Sequence, residues 1–290
     1  MSTTLLTRMS GGLRLRFAYE QERQLTSLVG CEQEPPLRVV RAFPLAGGGT
    51  LLHLHNLSGG VLGGDQLAVE IDVGPSARVQ LTTTGATRIY RSRSEDTEPA
   101  RQHCTVRIQA GGLLEYLPDQ LIPFAGSRYQ QVTRIEMEQD AGLFWWETIA
   151  PGRLARGESF AYELLQLQTD IVAAGQPIAC ERFKLEPRRA AMASPLRLGS
   201  YRYHTSFFLC RIGLPAARWQ ALERELTELA LRLTRADEIV WGVSTLVAHG
   251  LLVRAVSQRG YDIAPGLLAF WQAAKCALYG ENAVLPRKMY

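Results

Sequence analysis

The residues with the clearest chemical potential lie in one short stretch, HNLSGGVLGGDQL, at positions 55–67. It begins with His55, carries Ser58, and places two glycine pairs ahead of Asp65. Glycines packed this densely indicate tight turns or a backbone that approaches another group closely. Three interpretations therefore stand side by side: a phosphate-binding loop, a turn in a β fold, and a site built around Asp65.

A phosphate-binding loop fits these residues poorly. Such a loop needs a lysine followed by Ser or Thr after its last glycine, at the start of a helix. Here Asp65 comes next, and the alternation from Leu67 to Val73 predicts a strand. Hydrolase signatures of the GxSxG and HExxH types are also missing from the sequence. We therefore interpret the glycines as a device of the fold and Ser58 as a turn residue.

Metal binding is a second candidate chemistry. His53 and His55 are two positions apart, so on a strand their side chains share one face. Imidazole and carboxylate ligands suit a borderline ion such as nickel or zinc. Because no third ligand follows at a diagnostic spacing, the pattern favours a weak or transient site over a closed one.

Acidic residues inside apolar segments form a third group. Glu147 follows LFWW directly, Glu181 lies in ACERFKL, and Glu115 lies in LLEYL. On alternating strands such residues commonly face water, but one that faces inward needs a partner or a water-filled passage. On the residues alone, a binding or scaffold protein is favoured over an enzyme.

The bulk composition limits the class of protein. The chain has 290 residues, of which 46% are hydrophobic, and its net charge of +4 comes without a polybasic block, so no nucleic-acid partner is expected. Five scattered cysteines without a CxxC fit a reducing cytosol. The N-terminus lacks the apolar core of a signal peptide, and no window approaches the roughly 18 apolar residues of a membrane span. We expect a cytoplasmic protein without a membrane segment.

The first 190 residues carry the period of two that is typical of strands. Strand, small-residue turn and strand recur three times, with turns at 74–76, 110–112 and 140–142. The pattern suits stacked β layers or a solenoid, and equally a meander of hairpins. Loops are expected at 20–36, 92–101 and 187–199.

Two amphipathic helices are predicted near the end of the chain. The first lies in PAARWQALERELTELALRL from Pro215, and the second in PGLLAFWQAAKCALYG from Pro265 to Gly280. Between them, two strands are expected on either side of His249-Gly250. We treat residues 1–290 as one domain.

Several segments, taken in order, resemble one family. HNLSGGVLGGDQL followed by LTTTGATRIYRS is similar to the paired signature of the urease accessory protein UreD, also called UreH. LEYLPDQLIPFAGSRY, WETIAPGRLARGESF, CERFKL, GLLVR and the closing WQAAKCALYGENAVLPRKMY resemble further segments of that family. The resemblance covers nearly the whole chain.

The resemblance implies a fold and a function. The fold is mainly β, with stacked, partly helical (β-solenoid-like) strand layers and two α-helices in the C-terminal third. The function is that of a non-catalytic scaffold, which binds apo-urease and recruits UreF and the GTPase UreG. Nickel would pass through the complex to urease as a transient Ni²⁺ cargo. The assembly is expected to be a homodimer of heterocomplexes with UreF, without membrane or nucleic acid.

The resemblance also assigns site residues. The family motifs fall on Ser58, Gly59, Gly60, Gly63, Gly64, Asp65, Thr82, Thr83, Gly85, Ala86, Tyr90, Arg91 and Ser92. We hypothesise that Asp65, Glu147 and Glu181 line an internal polar passage for a hydrated cation, with His55 as a further weak ligand. Each of these carboxylates could instead form a structural ion pair.

This chain departs from the family at two places. It has LPDQ, with Asp119 and Gln120, where many relatives have LPQE, and Leu57 where proline is common. A metal role at the first of these positions is therefore doubtful, unless Asp119 takes the place of the missing glutamate. A small-molecule-binding β enzyme that uses Asp65 or Glu147 as acid or base stays open as the alternative. We expect partner surfaces at the C-terminal helices and at Trp145-Trp146, since tryptophan is enriched in binding hot spots.

Overall fold

The computed structural model describes residues 9–91, 98–194 and 196–286. Within these ranges the chain forms a seven-stranded sheet, an eleven-stranded sheet and two α-helices, which confirms the predicted mainly β fold. The strands are β1 (Ser10–Glu20), β2 (Leu25–Glu34), β3 (Leu37–Arg38), β4 (Ala42–Pro44), β5 (Thr50–Asn56), β6 (Gln66–Val73), β7 (Arg78–Thr83), β8 (Thr87–Ile89), β9 (Ala100–Ile108), β10 (Leu113–Tyr116), β11 (Leu121–Pro123), β12 (Arg128–Met137), β13 (Gly142–Ile149), β14 (Leu164–Ala173), β15 (Gln176–Leu185), β16 (Tyr203–Arg211), β17 (Ile239–Thr245) and β18 (Gly250–Ser257). The helices are α1 (Ala216–Leu233) and α2 (Ile263–Tyr279).

The central strands form a parallel coil that alternates between the two sheets. Strands β6, β9, β12 and β14 run parallel in the seven-stranded sheet, and β7, β10 and β13 do so in the eleven-stranded sheet. Residues that meet on successive coils are 29 to 36 positions apart along the chain. The solenoid-like prediction is therefore confirmed, and the meander of hairpins is wrong, because hairpin strands pair antiparallel.

Short strands form a third side along part of the coil. Strand β8 pairs in parallel with β11, and Val61 forms an isolated parallel bridge with Ile89 of β8. This corner brings the segment that follows β5 onto the segment that follows β7. The two sequence motifs that carry the resemblance therefore meet in space.

Antiparallel strands extend both sheets at their edges. Strand β2 pairs with β1 and β15 pairs with β14, while β16, β18 and β17 continue the eleven-stranded sheet. The loop expected at 20–36 is wrong, since β2 occupies most of it. Most of the β2 side chains are at least partly exposed at the sheet edge, so the segment lacks the apolar alternation that predicts a strand.

Strand β13 separates two hydrophobic cores. Leu143 and Trp145 pack into the core between the sheets, whereas Phe144 and Trp146 pack into a second core under the helices. This double burial explains the unbroken run LFWW. Glu147 falls on the same face as Leu143 and Trp145 by the alternation of side chains along a strand, so it points into the space between the sheets.

Helices α1 and α2 cover the outer face of the eleven-stranded sheet. Their predicted apolar stripes supply much of the second core, including Trp219, Leu226, Phe270 and Trp271. Pro215 is the N-cap of α1, and Gly280 ends α2 in the left-handed conformation. In the described part of the chain, no helix combines the length and the apolar character that crossing a membrane requires.

A buried ion pair ties α2 to the sheet. Lys275 Nζ lies 2.9 Å from Glu115 Oε1, and Trp271 Nε1 donates to the same oxygen over 2.8 Å. Both charged residues are buried. The acid in LLEYL, which the sequence left without a partner, is therefore a packing contact of the helix layer.

Candidate functional site

The glycine-rich stretch forms the corner of the coil. The Val61 N–H donates to Arg88 O, and the Tyr90 N–H donates to Val61 O, each over 2.8 Å. A Cβ on Gly60 would lie 2.5 Å from both Arg88 O and the Tyr90 ring. Gly59 and Gly64 have positive φ angles of 75° and 86°. The glycines are thus needed for close approach of the second motif and for tight turns.

Asp65 closes its own turn inside this corner. The residue is 2% exposed, and its Oδ2 accepts the Leu62 N–H over 2.9 Å. Ser58 acts similarly one turn earlier, with Oγ 2.8 Å from Gly60 O. Both side chains are therefore engaged with the backbone around the glycines.

The threonines of the second motif fasten β7 to the segment after β10. Thr82 Oγ1 donates to Leu117 O over 2.7 Å, and Thr83 Oγ1 accepts the Asp119 N–H over 2.9 Å. Tyr90 packs edge-on against Phe124 with ring centroids 5.0 Å apart. Ser92, the last residue assigned to the motif, lies outside the described residues.

Two adjoining chambers lie behind this corner. The outer chamber has a volume of about 250 Å³, and the inner one a volume of about 50 Å³. They share the wall residues Thr87, Gln102 and Tyr116. The outer wall includes the motif residues Gly59, Gly60, Thr83, Gly85 and Ala86 together with His55. The inner wall includes Asp119, Gln131 and Glu147. The outer chamber at the motif corner and the inner chamber at Glu147 are therefore neighbours that share part of their walls.

Glu147 is held in the inner chamber by one strong hydrogen bond. Gln131 Nε2, on the opposite sheet, donates to its Oε1 over 2.6 Å. The pKa of Glu147 is raised to about 7, chiefly by burial and to a smaller extent by the carboxylate of Glu181, while the hydrogen bond from Gln131 acts in the opposite direction. The group therefore exchanges its proton near neutral pH.

Glu181 lies beside the strand that carries Glu147, but it is not among the residues that line either chamber. Its Oε1 accepts Ser206 Oγ over 3.0 Å and Arg254 Nη2 over 2.8 Å. Ser206 is the direct neighbour of Glu147 across the β13–β16 pair, so Glu181 lies beside the strand that carries Glu147. His204, two residues earlier on β16, stacks on Phe183. Burial lowers the pKa of His204 to about 4, so its ring is neutral at pH 7.

The structure thus separates the predicted acidic trio. Glu147 lines the inner chamber and His55 the outer one, whereas neither Asp65 nor Glu181 is among the residues that line either chamber. Across residues 9–91, 98–194 and 196–286, no three side chains of His, Cys, Asp or Glu come together as a metal site.

Comparison with known proteins identifies the family. The family described as UreD urease accessory protein matches residues 9–290. A protein of Herpetosiphon aurantiacus named urease accessory protein UreD is 47% identical over 289 residues, which is 100% of this chain and 99% of that protein. The Pseudomonas aeruginosa protein of the same name is 31% identical over 277 residues, covering 94% and 93% of the two chains. The Actinomyces naeslundii one is 32% identical over 257 residues, or 88% of each chain.

The chain belongs to the UreD family. Membership supports a role in urease maturation, as the printed names of these relatives indicate. Four of the segments of this UreD member that carry the resemblance, those that begin at His55, Leu81, Leu114 and Trp146, supply residues that line the two chambers.

One predicted interface of this UreD member is wrong. Trp145 is 1% exposed and Trp146 8% exposed, because each packs into one of the two cores that β13 separates. Apolar surface is exposed elsewhere, at Val40 and Leu285 beside an open groove along β4 and β5.

Sequence reasoning missed two residues of the site. Gln131, in RYQQV, looked like an ordinary polar strand residue. Arg254 carried a usable signal, since it is the one charge within the apolar run GLLVRAV. A charge in such a run points either to water or to a buried partner, and here it reaches Glu181.

Proposed function

We propose that this chain is a non-catalytic scaffold of urease maturation. It binds apo-urease and, with UreF and the GTPase UreG, supports insertion of nickel into the urease active site. The complex contains two copies of the chain with UreF. The observation that carries the proposal is the family match over residues 9–290, together with relatives named as urease accessory proteins.

In this proposal the two chambers form the nickel route. A cation enters on the His55 side and reaches Glu147 and Glu181 in turn. Isolated carboxylate and imidazole ligands hold a borderline ion weakly, and weak holding is what delivery to another protein requires. Asp65 contributes by holding the corner that forms the outer wall.

The enzyme alternative rests on Glu147, whose pKa of about 7 suits a general acid or base. The inner chamber argues against it. Its volume of about 50 Å³ is well below the roughly 300–1,000 Å³ of pockets that bind small organic molecules. The scaffold function is therefore the better supported of the two.

The deciding experiment uses a cell that carries the urease structural and accessory genes, with this gene deleted. We expect the wild-type chain to restore nickel-loaded urease and to co-purify with apo-urease and UreF. Failure of the wild-type chain to restore urease activity would overturn the proposal, and turnover of a substrate by the isolated chain would favour the enzyme alternative.

The route is tested in the same strain with Glu147→Gln. This variant keeps the volume and the Gln131 contact but removes the charge. We expect normal complex formation with reduced nickel content of urease. Gln166→Ala, on the outer face of β14, is the control and should leave both quantities unchanged.

A further inference from the structure

An open groove with a volume of about 860 Å³ runs along β4 and β5. Its lining is mainly apolar and includes Phe43 and Leu51 on the strands and Val284 and Leu285 on the segment after α2. The volume lies within the roughly 300–1,000 Å³ of pockets that bind small organic molecules. The groove is therefore large enough to receive more than one side chain of a partner.

The segment after α2 is fixed as one wall of this groove. The buried side chain of Gln80 donates from Nε2 to Val284 O over 3.0 Å. Arg78 holds Glu281 with two hydrogen bonds of 2.7 and 2.5 Å. Because these bonds fix the backbone ahead of Leu285, the groove is formed before any partner binds.

Apolar side chains of the groove remain in water. Val40 and Leu285 belong to the lining and are nevertheless 76% and 59% exposed. A small molecule in the groove would cover only the inner parts of these side chains, whereas a protein segment that continues across the surface would cover them fully. Contiguous exposed apolar surface of this kind marks a site of protein association.

The charge of the groove restricts what such a partner carries. The guanidinium of Arg41 lies over the Phe43 ring, 4.4 Å from its centroid, and this contact holds the cation at the groove wall. The lining contains no aspartate or glutamate, and among the described residues no carboxylate pairs with Arg41. A second copy of the same groove would bring a like charge, whereas a carboxylate would complement Arg41.

We propose that this groove docks a segment of a partner protein that carries aliphatic side chains for the apolar lining and a carboxylate for Arg41. The inference rests on the proposed function, since the partner is a member of the urease maturation complex. The groove shares His55 and Thr84 with the outer chamber. A docked segment therefore lies beside the chamber at the motif corner.

The test is site-specific photo-crosslinking in the strain that carries the urease structural and accessory genes. Leu285→p-benzoylphenylalanine places the photoreactive group on the groove, and mass spectrometry identifies the peptide that it captures. We expect a peptide of another protein in which aliphatic residues adjoin an aspartate or glutamate. Adding Arg41→Glu should lower the yield of this adduct about tenfold, because it sets two like charges against each other. Adding Arg41→Lys keeps the charge and should preserve most of the yield.

Leu196 and Arg197 provide a matched control, since they form an exposed leucine–arginine pair that does not line the groove. Leu196→p-benzoylphenylalanine should not capture the same peptide, and Arg197→Glu should leave the yield at Leu285 unchanged. The inference is overturned by capture of a second copy of this chain, by a captured peptide without a carboxylate, or by an equal loss of yield in Arg197→Glu. Thermal unfolding of Arg41→Glu, which should match the wild type, shows that a lost adduct does not come from a lost fold.

Urease activation in the same strain separates this inference from the proposed function. A wild-type chain that activates urease, while Leu285→p-benzoylphenylalanine assembles and captures no peptide, would remove only the docking groove. A wild-type chain that fails to activate urease, with an acidic and aliphatic peptide of another protein still captured in an Arg41-dependent way, would remove the proposed function and leave the groove as a docking site.

Discussion

Asp65 and Glu147 are both acids that the sequence placed on a cation route, yet their surroundings differ. Asp65 accepts the N–H of Leu62 within its own turn, whereas Glu147 meets a single amide donor from the opposite sheet. Asp65 therefore stabilises the backbone turn, whereas the charge of Glu147 stays available inside the chamber. The motif alone could not separate them, because it records which residue is required and not which partner it has.

Two substitutions at Asp65 distinguish a structural role of its hydrogen bond from a role of its negative charge. Asp65→Asn keeps an oxygen acceptor for the Leu62 N–H, so we expect stability within about 1 kcal/mol of the wild type and retained urease activation. Asp65→Ala leaves that N–H unpaired and should cost about 1–3 kcal/mol. Urea unfolding followed by circular dichroism measures both. An Asn variant that is fully stable yet loads no nickel would return Asp65 to the cation route.

Glu147 predicts a specific pH dependence. Its pKa is about 7 in the folded chain and near the ordinary glutamate value of 4.5 in the unfolded chain, so the folded chain binds more protons between these pH values. Because the folded chain holds this proton more tightly, the free energy of unfolding should fall by roughly 2–3 kcal/mol as the pH rises from 4.5 to 7.

The measurement compares urea unfolding of wild type and Glu147→Gln at pH 5 and pH 8. We expect the stability of Glu147→Gln relative to the wild type to be higher at pH 8 than at pH 5. Glu136→Gln, at an exposed site on β12, is the control. If the unfolding free energies of wild type and Glu147→Gln changed equally with pH, the raised pKa of Glu147 would be contradicted.

At the scale of elements, the coil corner depends on the absence of one side chain. Gly60→Ala would place a Cβ 2.5 Å from Arg88 O, and since that oxygen belongs to the backbone, the corner must shift. We expect a loss of about 1–3 kcal/mol in unfolding free energy. Gly85→Ala, where a Cβ meets nothing within 4 Å, should change stability by less than about 0.5 kcal/mol. Equal losses of unfolding free energy at the two positions would show that the backbone of the corner can shift to accommodate a Cβ at Gly60.

The contact between α2 and the sheet depends on a buried charge. Lys275→Met leaves Glu115 without its cation, and we expect a cost of about 3–5 kcal/mol. The double variant Lys275→Met with Glu115→Gln should cost less than the sum of the single changes, because no charge is then left buried alone. Arg23→Met, which breaks an exposed ion pair with Glu20, should cost under about 1 kcal/mol. Additive effects at Lys275 and Glu115 would contradict this interpretation.

The elements differ in how far the sequence determined them. The helices were predictable because their apolar stripes and terminal residues agree, as at Trp219 and Gly280. Strand β2 was missed because an edge strand has no buried face to impose alternation. The pairing of Glu181 with Arg254 was out of reach, since it joins residues 73 positions apart across two sheets.

At the scale of the whole molecule, protection from solvent should follow position in the two sheets. Strand β13 is buried on both faces, whereas β2 and β17 lie at sheet edges. We therefore expect the backbone amides of β13 to exchange with deuterium most slowly and those of β2 and β17 fastest. Hydrogen exchange with mass spectrometry resolves these peptides. Rapid exchange in β13 would mean that the two cores open independently.

The double burial of β13 has a mechanical side. Trp271 of α2 rests edge-on against Trp146 at 6.2 Å, and the next residue along the strand is Glu147. Strand β13 is thus the wall between the two cores, with the helices on one side and the Glu147 side chain on the other. We therefore expect a displacement of α2 to be felt through Trp146 by the strand segment that carries Glu147.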